Sequence, residues 1–337
     1  MCENNQIKDK LPIFVSEYNH FCHRNAIRNV LCLSGIKDYD LLIKNSIDLK
    51  ISPITEKRNI FYPSISNTRP VMNCLENCFS EWTYDIAWDD INNELNKGNL
   101  IFLNTDVFYL KYSEYYLKSH GSHVIIIIEE KNNYYYVIDW YAPQYFIGWI
   151  YKDELALARK SDNIYEKNHT YSGYPINCAW QVFNSKKIDR NYHKINLMYE
   201  LLSDISSKQD EQTEEDSKRI KVLFCEIPKL IKYKYISNTQ VIEDLFLLIA
   251  ERKLCIRQLY IFAEEEGEMS KVCKRLGDIL YEINIELQNM EYMLLRSDLK
   301  NIFIDENKWI KYCTTMLEKK SRFEKLISKK VVRKKNE

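Results

Sequence analysis

The fold class is decided by the stretch His123-Val124-Ile125-Ile126-Ile127-Ile128-Glu129-Glu130-Lys131-Asn132-Asn133-Tyr134-Tyr135-Tyr136-Val137-Ile138-Asp139. Residues 124–128 and 134–139 are rich in β-branched and aromatic side chains, which favour strands. The polar residues 129–133 between them predict a hairpin loop. A further strand is predicted over residues 100–107, so the first half of the chain is expected to form an antiparallel sheet.

Helical patterns lie before and after this hairpin. Apolar residues cluster on one face of residues 24–33, and shorter helices are predicted over 88–95 and 153–160. Together with the strands, these helices predict a domain of residues 1–200.

The second half of the chain has a different character. Residues 238–263, 269–295 and 306–328 keep apolar residues at i, i+3 and i+4 spacing over long windows, which predicts an antiparallel helical bundle. Residues 201–219 are mostly polar and acidic, so we predict a linker or loop there. A helical domain is then expected over residues 220–330.

Composition argues against several classes of protein. Lys and Arg total 48, and so do Asp and Glu, so no basic excess indicates a nucleic-acid partner. The longest strongly apolar run, 124–128, is far shorter than the roughly 20 residues that span a bilayer. Ten cysteines without an export signal predict reduced thiols in a cytoplasmic protein.

Three residues are placed for nucleophilic catalysis. Cys22 directly precedes the predicted helix 24–33, and the N–H groups of a helix N-terminus favour a thiolate. His123 begins one strand of the hairpin and Asp139 ends the other, so strand pairing brings them near each other. A cysteine facing a His–Asp pair is the triad arrangement of papain-like folds. Each of these residue types, taken singly, is more often structural.

Zinc is the weaker chemical prediction. His20, His23, His120 and His123 lie near Cys22 or in the hairpin segment, but no pair of thiolates accompanies them. We therefore predict no metal. A substrate pocket lined by aromatic residues is expected instead, although alternation along a strand would place half of them in the core. The pocket candidates are Tyr109, Tyr136, Trp140 and Tyr141.

Several segments resemble the BtrH-like N-terminal family, over about residues 15–160. Residues 20–36 resemble its opening, with Cys22, a small residue four positions later, paired apolar residues and Gly35. Residues 104–112 resemble its Asp-aromatic-Tyr-Leu-x-Tyr segment, and residues 120–125 resemble the His-strand that follows. Residues 136–139 and 154–159 resemble its Asp-strand and the next helix.

The resemblance implies an α+β, papain-like fold with Cys22, His123 and Asp139 as the catalytic triad, here followed by the C-terminal helices. It also implies amide synthesis, in which an acyl chain passes from a carrier-protein thioester to the cysteine and then to an amine. The implied partners are an acyl or peptidyl carrier protein and a small-molecule amine. No cofactor is implied beyond the phosphopantetheine arm that carries the acyl chain.

One departure and two alternatives accompany this interpretation. Papain-like peptidases carry Gln six residues before the cysteine, where this chain has Ser16, and Asn19 is the candidate oxyanion donor in its place. A cysteine peptidase or amidase would use the same triad with water as acceptor, and a non-catalytic binding protein would keep only the pocket.

An AT-rich residue usage further suggests a clostridial polythioamide pathway.

Overall fold

The structure is a computed structural model of the 337-residue chain. It describes residues 11, 22–43, 49–51, 61–63, 75–78, 84–140, 145–166, 172–188, 191–211 and 214–330.

The described residues form an α+β structure that is mostly helical. The strands are β1 (Leu49–Ile51), β2 (Phe61–Pro63), β3 (Leu75–Cys78), β4 (Leu100–Asp106), β5 (Ser122–Lys131), β6 (Tyr134–Asp139), β7 (Phe146–Tyr151) and β8 (Trp180–Phe183). The α-helices are α1 (Cys22–Leu33), α2 (Tyr84–Asn96), α3 (Lys152–Lys160), α4 (Lys194–Glu211), α5 (Glu214–Lys232), α6 (Asn238–Ala263), α7 (Glu268–Lys300) and α8 (Glu306–Lys330).

The chain folds into two compact units. The first contains Met1–Ile43 and Asn67–Asn191, and the second contains Lys44–Ser66 and Tyr192–Glu337. The segment Lys44–Ser66 therefore belongs to the second unit, where β2 packs on α6, although it lies inside the first predicted domain. Local sequence patterns do not reveal such an excursion, because it depends on contacts between residues far apart in the chain.

A six-stranded antiparallel sheet, in the order β3-β8-β4-β5-β6-β7, forms the centre of the first unit. The predicted hairpin is confirmed as β5 and β6, but its loop is shorter than the predicted residues 129–133. Glu129 to Lys131 continue the ladder after a bulge, and Asn132 and Asn133 alone form the turn. Both have positive φ, 53° and 64°, as a two-residue type I′ turn requires.

Helices cover both faces of this sheet. Helix α1 packs on the face that carries Phe102 and Gln181, and its His23 contacts both side chains. Helices α2 and α3 cover the opposite face, where Trp88 and Leu155 join Ile125 in one apolar core. Burial of apolar surface on both sides explains why β5 is apolar at consecutive positions instead of alternating.

A glycine ends the helix that carries Cys22. Gly35 has φ of 78°, and its N–H donates to the Cys32 carbonyl while the Ile36 N–H donates to the Leu31 carbonyl. This is a Schellman motif, in which a left-handed residue satisfies the last carbonyls of the helix. The helix predicted over 24–33 is confirmed, and it begins two residues earlier, at Cys22.

The prediction of a polar linker over residues 201–219 is wrong. Helix α4 extends from Lys194 to Glu211, and α5 begins at Glu214. Leu201, Leu202 and Ile205 are buried on the inner side of α4. Together with Leu197 they form an apolar stripe at helical spacing. The linker prediction followed the many polar residues around this stripe and did not take the stripe into account.

The three long helices predicted after residue 220 are confirmed. Helices α6, α7 and α8 follow one another through the short connections 264–267 and 301–305, so neighbours run antiparallel and pack together. The buried Trp309 of α8 donates its Nε1–H to the Phe224 carbonyl of α5 over 2.7 Å. None of the described helices is long and apolar enough to cross a membrane.

The β5–β6 turn provides a test of the fold. Asn133→Val should lower the free energy of unfolding by about 1–2 kcal/mol, because a β-branched side chain is strained at positive φ. Asn133→Gly should stay within about 0.5 kcal/mol of wild type, because glycine adopts this conformation readily. Urea titration of both variants measures the difference, and equal midpoints would contradict the turn assignment.

Candidate active site

A buried His–Asp pair lies at one end of the β5–β6 hairpin. Ile126 of β5 is paired with Ile138 of β6, and Asp139 directly follows Ile138. In this antiparallel register Asp139 lies diagonal to His123 and on the same face of the sheet. The His123 Nε2 and Asp139 Oδ2 atoms are 2.9 Å apart. Their side chains are only 4% and 2% exposed, so the two groups neutralise each other out of contact with bulk water.

Cys22 lies on the side of the His123 imidazole that is opposite Asp139. It is the first residue of α1, its side chain is half-buried, and its sulfur lies within hydrogen-bonding reach of His123. Because Asp139 occupies Nε2, Nδ1 is the ring nitrogen that remains for the sulfur. The structure therefore brings together the three residues that the sequence singled out.

The charge state of His123 follows from these neighbours. Burial by itself lowers the pKa of the imidazole, whereas the charge and hydrogen bond of Asp139, and then those of Cys22, raise the pKa to about 10. His123 is consequently protonated at neutral pH, and its cation lies between a carboxylate and a sulfur.

The position of Cys22 depends on how α1 is attached to the sheet. Asn29, two turns further along the same helix, donates its Nδ2–H to the Trp140 carbonyl over 3.1 Å. Trp140 directly follows Asp139, so this bond links the cysteine helix to the strand that ends in the carboxylate. A buried ion pair between Arg28 and Asp40, 3.0 Å apart, also holds α1 against the segment that follows it.

Asp106 is a second buried carboxylate, at the end of β4. Its Oδ1 accepts the N–H groups of Phe108 and Gly121, at 3.1 and 2.9 Å. Its Oδ2 accepts Nδ1 of His120 at 2.7 Å and also the hydroxyl of Ser161. One carboxylate thus closes the loop of residues 107–121, which connects β4 to the strand that carries His123.

Tyr112 is a site residue that sequence reasoning missed. Its hydroxyl donates to Asp139 Oδ2 over 2.9 Å, and its ring stacks on Phe146 with centroids 3.8 Å apart. The only signal in the sequence was its place at the end of the Asp-aromatic-Tyr-Leu-x-Tyr segment. That pattern does not show that the loop folds back onto β6.

The structure separates the predicted pocket residues. Tyr136 is buried and points to the face opposite Asp139, where it packs on Trp149. Tyr109 lies half-buried beside His120, and Trp140 is half-buried against Tyr145. The candidate oxyanion donor Asn19 and the pocket candidate Tyr141 lie outside the described residues.

The histidines considered as zinc ligands have separate partners. His23 bonds Gln181, His120 bonds Asp106 and His123 bonds Asp139, while His20 lies outside the described residues. Across the part of the chain that the structure describes, no three His, Cys, Asp or Glu side chains are grouped as metal ligands.

Comparison with known families adds an independent observation. Residues 74–140 match the family model described as butirosin biosynthesis protein H, N-terminal, which supports membership in the BtrH-like family. The match contains His123 and Asp139 but covers a minority of the 337-residue chain and leaves out Cys22. No curated protein gives a significant match.

The raised pKa of His123 predicts how stability changes with pH. A histidine whose pKa is about 10 in the folded chain and 6.5 in the unfolded chain stabilises the fold fully below pH 6.5, and this contribution is lost as the pH rises through about 10. The difference in unfolding free energy between wild type and His123→Gln should therefore shrink between about pH 6.5 and pH 10 in urea titrations.

The buried Thr105 provides a control for that measurement. It donates its hydroxyl to the His123 carbonyl, so Thr105→Val disturbs the same strand pair without removing a titratable group. The loss of unfolding free energy caused by Thr105→Val should not change over the same pH range. An equal pH dependence in both variants would contradict the assigned charge of His123.

Proposed function

We propose that this protein is a cysteine-dependent N-acyltransferase of papain-like fold that forms an amide in natural-product biosynthesis. The observation that carries the proposal is the chain of contacts from Cys22 to His123 to Asp139. A helix that begins at the cysteine and packs on an antiparallel sheet with the His–Asp pair supports the papain-like assignment. The family match supports an acyltransferase role in biosynthesis.

The first half-reaction loads the enzyme. The Cys22 thiolate attacks the carbonyl carbon of an acyl thioester on the phosphopantetheine arm of an acyl or peptidyl carrier protein. When the tetrahedral intermediate collapses, the carbon–sulfur bond to the arm breaks and His123 gives its proton to the departing thiolate. The products are acyl-Cys22, a neutral His123 and the free pantetheine thiol.

The second half-reaction forms the amide. A small-molecule amine attacks the acyl-Cys22 carbonyl, and the neutral His123 accepts the proton that the nitrogen loses. The carbon–sulfur bond then breaks, which restores the Cys22 thiolate beside the His123 imidazolium. Because the thioester already carries the required free energy, the proposed reaction needs neither a cofactor nor a metal.

Asp139 has a supporting role in both steps. Its hydrogen bond to Nε2 fixes the imidazole so that Nδ1 faces the sulfur, and its negative charge stabilises the imidazolium. Both effects require that the carboxylate stay in place while the proton on the other nitrogen leaves and returns.

Loading of Cys22 is directly measurable. Incubation of the wild-type chain with acyl thioesters of pantetheine should add the mass of one acyl group, located at Cys22 by peptide mapping, and Cys22→Ala should abolish this adduct. Cys32 lies at the other end of the same helix, and burial raises the pKa of its thiol to about 12. Cys32→Ala is therefore the matched control, and loading that persists in Cys22→Ala would refute the proposed nucleophile.

The choice between synthesis and hydrolysis requires a second measurement. With an acyl thioester and a panel of primary amines, the amide should exceed the free acid even though water is present at about 55 M, because a bound amine is oriented for attack. Predominant hydrolysis across the panel, together with cleavage of peptides, would favour a cysteine peptidase or amidase. Absence of both products and of the adduct would favour a non-catalytic binding protein.

A further inference from the structure

Two hydrogen-bond donors share one oxygen of the site carboxylate. Asp139 Oδ2 accepts Nε2–H of His123 and the hydroxyl of Tyr112, each over 2.9 Å. A carboxylate that accepts two donors on one oxygen has little freedom to rotate, because rotation would break both bonds. Tyr112 comes from the loop after β4, so this contact joins a third segment to the hairpin.

The ring of Tyr112 is itself held in place. It stacks on Phe146 at 3.8 Å between centroids and with 3° between the ring planes. Phe146 is the residue of β7 that pairs directly with Asp139 of β6. The pairing of β6 and β7 therefore places the stacking surface beside the carboxylate that receives the hydroxyl.

The loop that carries Tyr112 is anchored at both ends. Asp106 receives two loop N–H groups, the His120 ring and the Ser161 hydroxyl, as described above. The neighbouring Lys111 forms an ion pair with Glu154 of α3, 2.6 Å apart. Exposed ion pairs contribute little on their own, so the buried Asp106 carboxylate is the main anchor.

We propose that Tyr112 is a positioning residue that holds the Asp139 carboxylate toward His123 through its hydroxyl hydrogen bond. The inference rests on the proposed function, in which Asp139 must keep the imidazole aligned while a proton leaves and returns. Tyr112 touches neither Cys22 nor the reacting atoms in this role. It acts through Asp139 and thereby through His123.

The Tyr112 hydroxyl also reduces the negative charge that Asp139 presents to His123. Among the described residues, the titratable groups that act on His123 are Cys22 of α1 and Asp139 of β6, while Asp106 of the adjacent strand β4 is paired with His120. A hydroxyl that donates to Asp139 takes up part of the carboxylate's negative charge. Its removal leaves that charge to the imidazolium alone, so the proton of His123 is held more tightly.

The test is a pH titration of the histidine side chains by NMR in the full-length chain, labelled with ¹⁵N-histidine. The chain has six histidines, so the His123 signals can be assigned by comparison with His123→Gln. Tyr112→Phe should raise the measured pKa of His123 by roughly half a unit to one unit. It should also slow acyl loading of Cys22 by about three- to tenfold, because the carboxylate is less firmly held.

Tyr135→Phe is the matched control. Tyr135 lies in the same sheet and donates its hydroxyl to Asn92 Oδ1 over 2.9 Å, so the variant loses a similar hydrogen bond away from Asp139. It should leave the pKa of His123 and the loading rate at wild-type values. A role in stability alone would lower the melting temperature of Tyr112→Phe without moving the histidine titration.

The outcomes separate the two proposals. The histidine titration needs no substrate, so it tests Tyr112 even if no acyl thioester loads Cys22. An unchanged His123 pKa in Tyr112→Phe overturns the positioning role, because the hydroxyl would then have no effect on the Asp139 carboxylate. Acylation of Cys22 in the separate loading assay would still leave the acyltransferase proposal intact.

Discussion

The buried pair of His123 and Asp139 is the interaction on which the site depends. Removing both charged groups from water is costly, and the cost is offset only when each finds a partner in good geometry. Strand pairing, the start of α1 and the loop after β4 all supply such partners. A displacement of any one of these elements would leave a buried charge poorly compensated, so the site constrains the packing of the unit around it.

Two buried carboxylates at strand ends perform different tasks because they face different groups. Asp106 is surrounded by backbone N–H donors, a histidine and a hydroxyl, all of which belong to the connection that it closes. Asp139 faces His123, whose second nitrogen remains for Cys22. The same side chain is therefore structural in one place and, in our proposal, part of the catalytic machinery in the other.

A shared triad does not decide between amide synthesis and hydrolysis. Both reactions proceed through the same acyl-cysteine, and the outcome depends on which nucleophile reaches it first. In our proposal, the arrangement of Cys22, His123 and Asp139 forms that intermediate. The groups that hold an amine and exclude water determine its fate, which is why product analysis is needed beside detection of the adduct.

The sequence by itself determined the local elements and indicated the candidate site residues. The β-branched runs of the hairpin, the apolar stripe of α1 and the long helices after residue 238 are patterns of near neighbours, and they predicted α+β structure and the positions of Cys22, His123 and Asp139. Only tertiary structure decided which unit contains Lys44–Ser66 and that Tyr112 reaches Asp139. These features depend on contacts between distant segments, which local periodicity does not encode.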